Sequence, residues 1–196
     1  MKRVLTALAL TAALGVAVPA IAADTAEVGK PAPTFTLKDE TGKEHSLAQY
    51  QGKIVVLEWT NPGCPFVQRH YRAKTMQNTL KELDPKKVVW LAVDSTSSNT
   101  PDKSASWKKE QSFTYSVLQD TDGKVGKAYG AKTTPHMYVI DEKGVLRYAG
   151  AIDDDPRGKS ATPVNHVKMT VDALLSGQPV PDATTEPYGC SVKYKS

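Results

Sequence analysis

Two cysteines, Cys64 and Cys190, are the residues of this 196-residue chain best suited to redox or nucleophilic chemistry. Cys64 lies in the stretch NPGCPFVQRHY, between a turn at Asn61–Gly63 and a helix predicted to begin at Pro65, where the missing proline N–H is not needed. At a helix start, unpaired N–H groups and the helix dipole favour a thiolate, and the thiol pKa can fall from about 8.5 to ~3.5–7.5. The stretch therefore predicts a reactive thiol, with an inert buried cysteine as the alternative.

Two apolar runs flank this segment and predict the strands that position Cys64. Ile54–Trp59 and Val88–Val93 are rich in β-branched residues, as expected of parallel strands buried on both faces. Between them, Pro65–Leu83 carries apolar residues near helical spacing and is stopped by Asp84-Pro85. This order of strand, helix and strand predicts a right-handed parallel crossover.

The remaining elements predict a single α/β domain in which the crossover is followed by another helix, three strands and a last helix. Trp107 should turn inward from its helix, and the sequence DEKG should join the last two strands as a hairpin. Upstream, Phe35 and Leu37 alternate with threonines before a turn at Thr41-Gly42, which indicates an N-terminal hairpin. The predicted helices are Ser104–Gln111 and Asn165–Ser176, and the predicted strands are Tyr115–Leu118, His136–Ile140 and Val145–Gly150.

The ends of the chain differ from this domain in composition. Residues 1–22 have the basic start, apolar run and small-residue end of a secretory signal peptide, so we expect cleavage after about Ala22 and export to the periplasm. A membrane anchor is the alternative, although the apolar run is short of the ~20 residues of a spanning helix. The domain is predicted to cover residues 26–177. Residues 178–196 contain three prolines and are predicted to form an irregular tail that carries Cys190.

The net charge and the cysteine content limit the classes of partner that the sequence predicts. The formal net charge of +4 becomes +2 when Lys2 and Arg3 leave with the signal peptide, because no acidic residue precedes Asp24. Basic and acidic residues are interspersed, so neither nucleic acid nor a membrane surface is an expected partner. Outside the cytosol a thiol pair can persist as a disulfide, which allows one bridge between Cys64 and Cys190.

Four landmarks give the chain a resemblance to a known family. They are GKPAPTFTLKDETGKEHSLAQYQGKIVVLEWT at the front, Cys64-Pro65, AYGAKTTPHMYVIDEKGVLRYAG, and AIDD. In this order they resemble the redoxin branch of the thioredoxin superfamily, which includes alkyl hydroperoxide reductase and thiol-specific antioxidant proteins. The resemblance covers about Val28 to Gly177 and implies a thioredoxin-like fold: a central mixed β-sheet flanked by helices, with an N-terminal β-hairpin extension.

The resemblance also implies a substrate-binding surface around Cys64. In the family a cis proline faces the active-site cysteine, and the backbone before it pairs with the substrate, which assigns these roles to Pro135 and Thr134. Trp59 is similar to the aromatic residue that flanks thioredoxin active sites. A role in packing the core is the alternative interpretation, and the sequence does not separate the two. With Pro65 beside the cysteine, the expected substrate-binding residues are Thr134, Pro135, Trp59 and Pro65.

Departures from the family pattern affect the expected activity. Val67 and Gln68 stand where thioredoxins and related copper chaperones carry a second cysteine, and Leu57 and Asn61 stand where typical peroxiredoxins carry proline and Thr or Ser. The chain instead resembles a peroxiredoxin-like subgroup with one active-site cysteine and a C-terminal Gly-Cys-Ser-x-Lys segment, here Gly189–Lys193. This makes Cys190 the candidate resolving cysteine, because an oxidised or mixed-disulfide thiol needs a second thiol to release it.

The sequence therefore predicts an exported thiol oxidoreductase that uses Cys64, with Cys190 as the resolving cysteine and no cofactor or metal. The expected partners are protein or small-molecule thiols and disulfides, peroxides, and an external electron donor. The alternative is a non-catalytic binding or copper-handling module with a structural Cys64–Cys190 disulfide, in which His136 could approach Cys64. For each histidine, a place in the core or on the surface is the competing interpretation.

Overall fold

The computed structural model of the chain describes residues 25–195. The predicted signal peptide, residues 1–22, lies outside the described residues. Within them, a five-stranded mixed sheet forms the centre of the molecule and helices cover it. In this part of the chain no helix is both long enough and apolar enough to cross a membrane.

Short and long strands alternate with helices along the described chain. The strands are β1 Thr36–Lys38, β2 Glu44–Ser46, β3 Ile54–Trp59, β4 Val88–Asp94, β5 Val117–Gln119, β6 Thr133–Thr134, β7 His136–Ile140, β8 Leu146–Gly150 and β9 Cys190–Ser191. The helices are α1 Pro65–Arg72, α2 Thr75–Lys81, α3 Pro101–Gln111, α4 Lys124–Tyr129 and α5 His166–Leu175.

The central sheet has the strand order β5-β4-β3-β7-β8. Strand β3 is parallel to β4 and antiparallel to β7. Strands β4 and β5 are parallel, and β7 and β8 form an antiparallel hairpin. The sheet is therefore mixed, as predicted.

Two short strand pairs accompany the central sheet. Strands β1 and β2 pair antiparallel, which confirms the N-terminal hairpin, and a 3-10 helix follows at Leu47–Tyr50. Strand β6 pairs antiparallel with β9, which lies near the C-terminus of the chain. The second pair therefore ties the C-terminal segment to the residues just before β7.

Two buried clusters cover the two faces of the central sheet. Tyr71 and Trp107 from α1 and α3 join residues of α2 and α5 in one cluster, and Tyr129 from α4 joins the other. Alternate residues of β3 contribute to the two clusters, so each cluster covers one face of the sheet.

The segment predicted as one helix, Pro65–Leu83, is two helices in the structure, so that prediction was wrong in detail. Lys74 adopts a left-handed conformation with φ of 57°, which ends the regular helix between α1 and α2. The second helix starts at once, with Thr75 as its first residue. Because neither proline nor glycine stands at the break, the sequence offers no signal for it.

Helix α4, which follows β5, was not predicted. Gly123 is the N-cap of this helix, and the Asp120 carboxylate accepts hydrogen bonds from two N–H groups of the first turn, those of Val125 at 3.1 Å and Gly126 at 2.8 Å. The helix has only six residues and contains a glycine, which weakens any helical pattern. The C-terminal segment is largely irregular, as predicted, apart from β9.

Candidate active site

Cys64 occupies the N-cap position of α1, immediately before Pro65. The turn before it is closed by two hydrogen bonds to Asn61: the Cys64 N–H donates to the Asn61 carbonyl at 2.9 Å, and the Gly63 N–H donates to its side-chain Oδ1 at 2.7 Å. The Cys64 carbonyl then accepts from Gln68 as the first helical bond. Cys64 itself is only 1% exposed. Its sulfur is therefore fixed at the positive end of a helix and shielded from solvent.

Thr134, the last residue of β6, and Pro135, which immediately precedes β7, lie beside Cys64. The Thr134–Pro135 peptide bond is cis, as predicted. The Cys64 sulfur lies 3.0 Å from the Thr134 carbonyl oxygen, to which it donates as a thiol. The Thr134 hydroxyl is buried and has no hydrogen-bond partner among the described residues. A cysteine, a cis proline and the backbone before that proline thus come together at one point.

The edge at Thr133–Thr134 is occupied by the chain's own C-terminal segment. Thr133 pairs with Ser191 and Thr134 with Cys190, in antiparallel register. This pairing sets the Cys190 sulfur 2.8 Å from the Cys64 sulfur, and both residues are free thiols. The two sulfurs are therefore close enough to form a disulfide with only a small further approach, once an external oxidant takes up two electrons.

Gly189 makes this close approach possible. It has φ of +143°, a conformation that residues with a side chain rarely adopt. A Cβ atom at this position would overlap the Thr134 carbonyl oxygen and lie 2.7 Å from the carbonyl carbon. The glycine before Cys190 therefore lets the tail backbone lie directly on the backbone of Thr134.

The tail is held on both sides of Cys190 and is called here the C-terminal strap, residues 184–194. Before the cysteine, the Thr185 N–H donates to the Ala149 carbonyl at 3.3 Å at the outer edge of the sheet. After it, the Val192 N–H donates to the Lys132 carbonyl at 3.1 Å, and the Tyr194 hydroxyl donates to the Ala131 carbonyl at 2.8 Å. Cys190 is thus built into the fold, although it lies outside every long element.

The two thiols are not equivalent acids. Burial acts to raise the pKa of Cys64, but hydrogen bonds from the Cys190 thiol and from the Val67 N–H outweigh it, so this pKa lies below its ordinary value. Burial, together with the hydrogen bond to Cys64 and the negative charge there, raises the pKa of Cys190 to about 11. Cys64 is therefore the more acidic thiol of the pair, and Cys190 is placed to donate a hydrogen bond to it when it ionises.

A buried carboxyl group lies on the α1 side of strand β3. Glu58 accepts hydrogen bonds from the Tyr71 hydroxyl at 3.0 Å, the Trp90 indole N–H at 3.0 Å and the Tyr115 hydroxyl at 3.3 Å. Its complete burial raises the pKa of Glu58 to about 7, although these donors act to lower it. Tyr71 belongs to α1, so the helix that begins at Cys64 rests on a carboxyl group that titrates near neutral pH.

The structure brings five of the six predicted site residues together. Cys64, Cys190, Thr134, Pro135 and Pro65 surround the sulfur pair.

Trp59 does not join them. Its indole is fully buried against Tyr129 and Tyr138, and its N–H donates to the Ser95 hydroxyl at 3.0 Å. Trp59 belongs to the core cluster on the face of the sheet opposite Cys64. It has no surface to offer a substrate, so in this structure it is a core residue.

The histidines also lie apart from the sulfur pair. His136 pairs with Trp59 across β3 and β7 and packs on Tyr138, which puts it on the face opposite Cys64. The approach of His136 to Cys64 that a copper site would need is therefore contradicted. Among residues 25–195, no three His, Cys, Asp or Glu side chains converge as metal ligands.

The contacts of two residues near the site, Glu58 and Tyr188, were not predicted from the sequence. Glu58 could have been noticed, because an acidic residue inside the apolar run IVVLEW must be buried with its strand. Tyr188, on the strap, contacts Asp153 and His70. Nothing in the local sequence signals that contact, because it joins segments far apart in the chain.

Comparisons with known proteins agree with this architecture. The family model described as AhpC/TSA family matches residues 28–149. A protein of Mycobacterium tuberculosis, described as a candidate peroxiredoxin, is 32% identical over 146 residues, which cover 72% of this chain and 87% of that protein. The thiol:disulfide interchange protein DsbE of Escherichia coli is 30% identical over 138 residues, which cover 68% of this chain and 70% of that protein.

Among solved structures, an uncharacterised conserved protein of Geobacillus kaustophilus superposes with a TM-score of 0.75. It is 28% identical in sequence, and the match covers 92% of this chain and 98% of that one. The fold is thioredoxin-like, and the proteins of Mycobacterium tuberculosis and Escherichia coli carry the names of thiol-based oxidoreductases. With Cys64 at a helix start and the mixed sheet behind it, these matches show that the chain belongs to the AhpC/TSA family of redoxins.

Proposed function

We propose that this protein is an exported thiol oxidoreductase in which Cys64 is the attacking thiolate and Cys190 the resolving thiol. The observation that carries the proposal is the 2.8 Å separation of the two sulfurs, with Cys64 at the N-cap of α1. The lowered pKa of Cys64 and the raised pKa of Cys190 support this division of roles.

With a disulfide substrate, the Cys64 thiolate attacks one sulfur, forms a mixed disulfide and releases the first substrate thiolate. Cys190 then loses its proton and attacks the Cys64 sulfur, which releases the second substrate thiolate. The products are two substrate thiols and a Cys64–Cys190 disulfide, so two electrons pass from the protein to the substrate. The backbone of Thr134 would orient a peptide substrate once the strap moves aside.

With a peroxide substrate, the Cys64 thiolate attacks one oxygen and becomes a sulfenic acid, while the other oxygen leaves as water or an alcohol. Cys190 then condenses with the sulfenic acid, and water is released as the disulfide forms. The 2.8 Å contact favours this second step, because Cys190 is already next to the sulfur on which the sulfenic acid would form. Either route ends in the same disulfide, which an external thiol donor must reduce for another cycle.

The proposed substrates are therefore protein or small-molecule disulfides and thiols, and peroxides. Export to the periplasm is part of the proposal, because residues 1–22 have the composition of a signal peptide. Outside the cytosol the Cys64–Cys190 disulfide could persist between cycles, since no cytosolic thiol pool acts on it.

A structural Cys64–Cys190 bridge is the second candidate. The contacts on both sides of Cys190 and the burial of Cys64 favour it, because they hold the strap over the site. A disulfide closing so long a loop would contribute about 4–5 kcal/mol to stability. In this reading the protein is a binding module and the pair never cycles.

Mass spectrometry of the native protein separates the two candidates. The protein is measured as isolated, after mild dithiothreitol, and after addition of hydrogen peroxide or glutathione disulfide to the reduced protein. Redox cycling predicts ready reduction and rapid return of a Cys64–Cys190 disulfide. Cys64→Ser should abolish the reaction, and Cys190→Ser should stop it at a sulfenic acid or a glutathione mixed disulfide on Cys64. A bridge that resists dithiothreitol in the folded protein would exclude the redox proposal and favour the structural one.

A further inference from the structure

Tyr188 stands two positions before Cys190 in the strap, and its partly buried side chain places the hydroxyl group in a polar cluster. The hydroxyl donates a hydrogen bond to the Asp153 carboxylate. It also lies 3.0 Å from His70 Nε2 and 3.4 Å from Arg69 Nη2. A single side chain thus ties the strap to helix α1 and to the turn that contains Asp153.

The ring of Tyr188 makes further contacts with the same helix. Its centroid lies 6.1 Å from that of Phe66, and the Arg69 guanidinium carbon lies 5.8 Å from the ring centre. Phe66, Arg69 and His70 all belong to α1, the helix that begins after Cys64. Helix α1 therefore carries both the residues that hold Tyr188 and, at its N-cap, the attacking sulfur of Cys64.

The partners of Tyr188 are themselves fixed. His70 is buried and its Nδ1 lies 3.2 Å from the Thr75 hydroxyl at the start of α2. Asp153 is buried, accepts the N–H of Asp155 at 3.1 Å, and forms a β-bridge with Asn165, the N-cap of α5. The Tyr188 hydroxyl therefore meets a preformed site, and its loss would leave the Asp153 carboxylate without its phenol donor.

Only Gly189 separates Tyr188 from Cys190, and it is fixed in place. Gly189 rests on the Thr134 carbonyl, and Cys190 follows in register with Thr134. We propose that Tyr188 is a positioning residue that holds the Cys190 sulfur against Cys64 and so sets the effective concentration of one thiol at the other. This inference rests on the proposed redox function of the pair, and it assigns a role to a residue that neither binds substrate nor reacts.

Thermodynamic linkage separates positioning from general stability. A contact that stabilises the oxidised and reduced proteins equally cannot change the equilibrium between them. A contact that holds the reduced strap in place lowers the entropy lost when the disulfide closes, and therefore raises the effective concentration of the pair. The readout is the ratio of oxidised to reduced protein in glutathione redox buffers, measured by mass spectrometry well below the unfolding temperature.

The test compares the full chain with Tyr188→Phe and Tyr188→Ala. We expect the effective concentration to fall by about tenfold in Tyr188→Phe, which loses only the hydroxyl, and further in Tyr188→Ala, which also loses the ring contacts. Tyr50→Phe is the matched control. It removes a hydrogen-bonded phenol hydroxyl beside His45, in the N-terminal region, and should leave the equilibrium unchanged.

Thermal unfolding of the oxidised and reduced forms of each variant accompanies the equilibrium measurement. If both forms of Tyr188→Phe lose the same stability and the glutathione equilibrium stays within twofold of the wild type, Tyr188 is only structural and the proposal is overturned. If the wild-type pair forms no disulfide at all in these buffers, both the proposed redox function and the positioning role of Tyr188 are overturned. A disulfide that forms with an unchanged equilibrium in both variants removes the role of Tyr188 alone.

Discussion

The sulfur atoms of Cys64 and Cys190 lie 2.8 Å apart, although 126 positions separate the two residues in the chain. One sulfur sits at a helix start, and the other is delivered by a strap that pairs with Thr134. In a thioredoxin the second cysteine follows the first within the same helix, whereas here Val67 holds that position. The second thiol is therefore supplied by tertiary structure, and its position depends on contacts of the strap.

The hydrogen bond between the two thiols should be measurable as a change in acidity. We expect the pKa of Cys64, followed by the ultraviolet absorbance of its thiolate, to lie below the ordinary thiol value. In Cys190→Ala it should rise, because the donor to the thiolate is lost. In Cys190→Ser it should rise less, because a hydroxyl group can still donate.

The same titration of Cys64→Ser provides the complementary measurement. Its remaining thiol, Cys190, should ionise closer to the ordinary pH range than in the wild type, because the negative charge on Cys64 no longer opposes it. A Cys64 pKa that is identical in the wild type and Cys190→Ala would show that the second thiol does not stabilise the thiolate.

The close contact between Gly189 and Thr134 should be intolerant of a methyl group. In Gly189→Ala we expect slower formation of the Cys64–Cys190 disulfide and a loss of about 3 kcal/mol in the free energy of unfolding, because the new Cβ displaces the strap. Gly177→Ala is the matched control, since Gly177 also has positive φ, at +67°, but has open space around its Cβ position. The control should lose only about 1 kcal/mol and keep the wild-type rate of disulfide formation. Equal rates in the two variants would mean that the strap does not need this contact.

The sequence predicted the parts of the fold that depend on local pattern. Ile54–Trp59 and His136–Ile140 have the predicted bounds, because continuous apolar runs bounded by polar residues specify buried strands. Cys64 at a helix start follows from the turn and proline around it. The break at Lys74 could not be predicted, because this residue adopts a left-handed conformation although neither proline nor glycine stands at the break.

The candidate site shows the same division. Cys64, Pro135 and Cys190 were identifiable from residue type and family resemblance. The pairing of β6 with β9 was not, because two-residue strands have no periodicity and their register depends on distant segments. Trp59 was assigned to the site from its resemblance to the aromatic residue that flanks thioredoxin active sites. In the structure, the alternation of side chains along β3 places it on the opposite face of the sheet, in the core, which was the alternative interpretation.

The burial of Trp59 separates its effect on stability from any effect on the reaction. Trp59→Phe should lower the free energy of unfolding by about 2 kcal/mol, because it leaves space beside Tyr129 and Tyr138 and removes the hydrogen bond to Ser95. The rate at which glutathione disulfide oxidises the reduced protein should stay within twofold of the wild type at a temperature where both are folded. A lower oxidation rate with unchanged stability would instead show that Trp59 contributes to substrate binding.

Glu58 should make the protein less stable as the pH rises towards neutrality. In the folded protein the pKa of Glu58 is raised to about 7, against a value of 4.5 without burial. Between these values the folded state holds a proton that the unfolded state has released, so stability falls with increasing pH, by about 3 kcal/mol over the whole interval. Above pH 7 both states are ionised, and this contribution stays constant.

Urea unfolding of the wild type and Glu58→Gln at pH 5 and pH 8 tests this assignment. The amide introduced by Glu58→Gln cannot ionise, so the wild type should lose about 3 kcal/mol more stability between the two pH values than the variant does. The buried groups Asp94 and Asp120, whose pKa values are also raised by burial, are present in both proteins and cancel in the comparison. Glu82→Gln, at an exposed position, controls for the change from carboxyl to amide. Parallel pH profiles of the wild type and Glu58→Gln would mean that Glu58 keeps an ordinary pKa in the folded protein and that its three hydrogen-bond donors fully compensate for its burial.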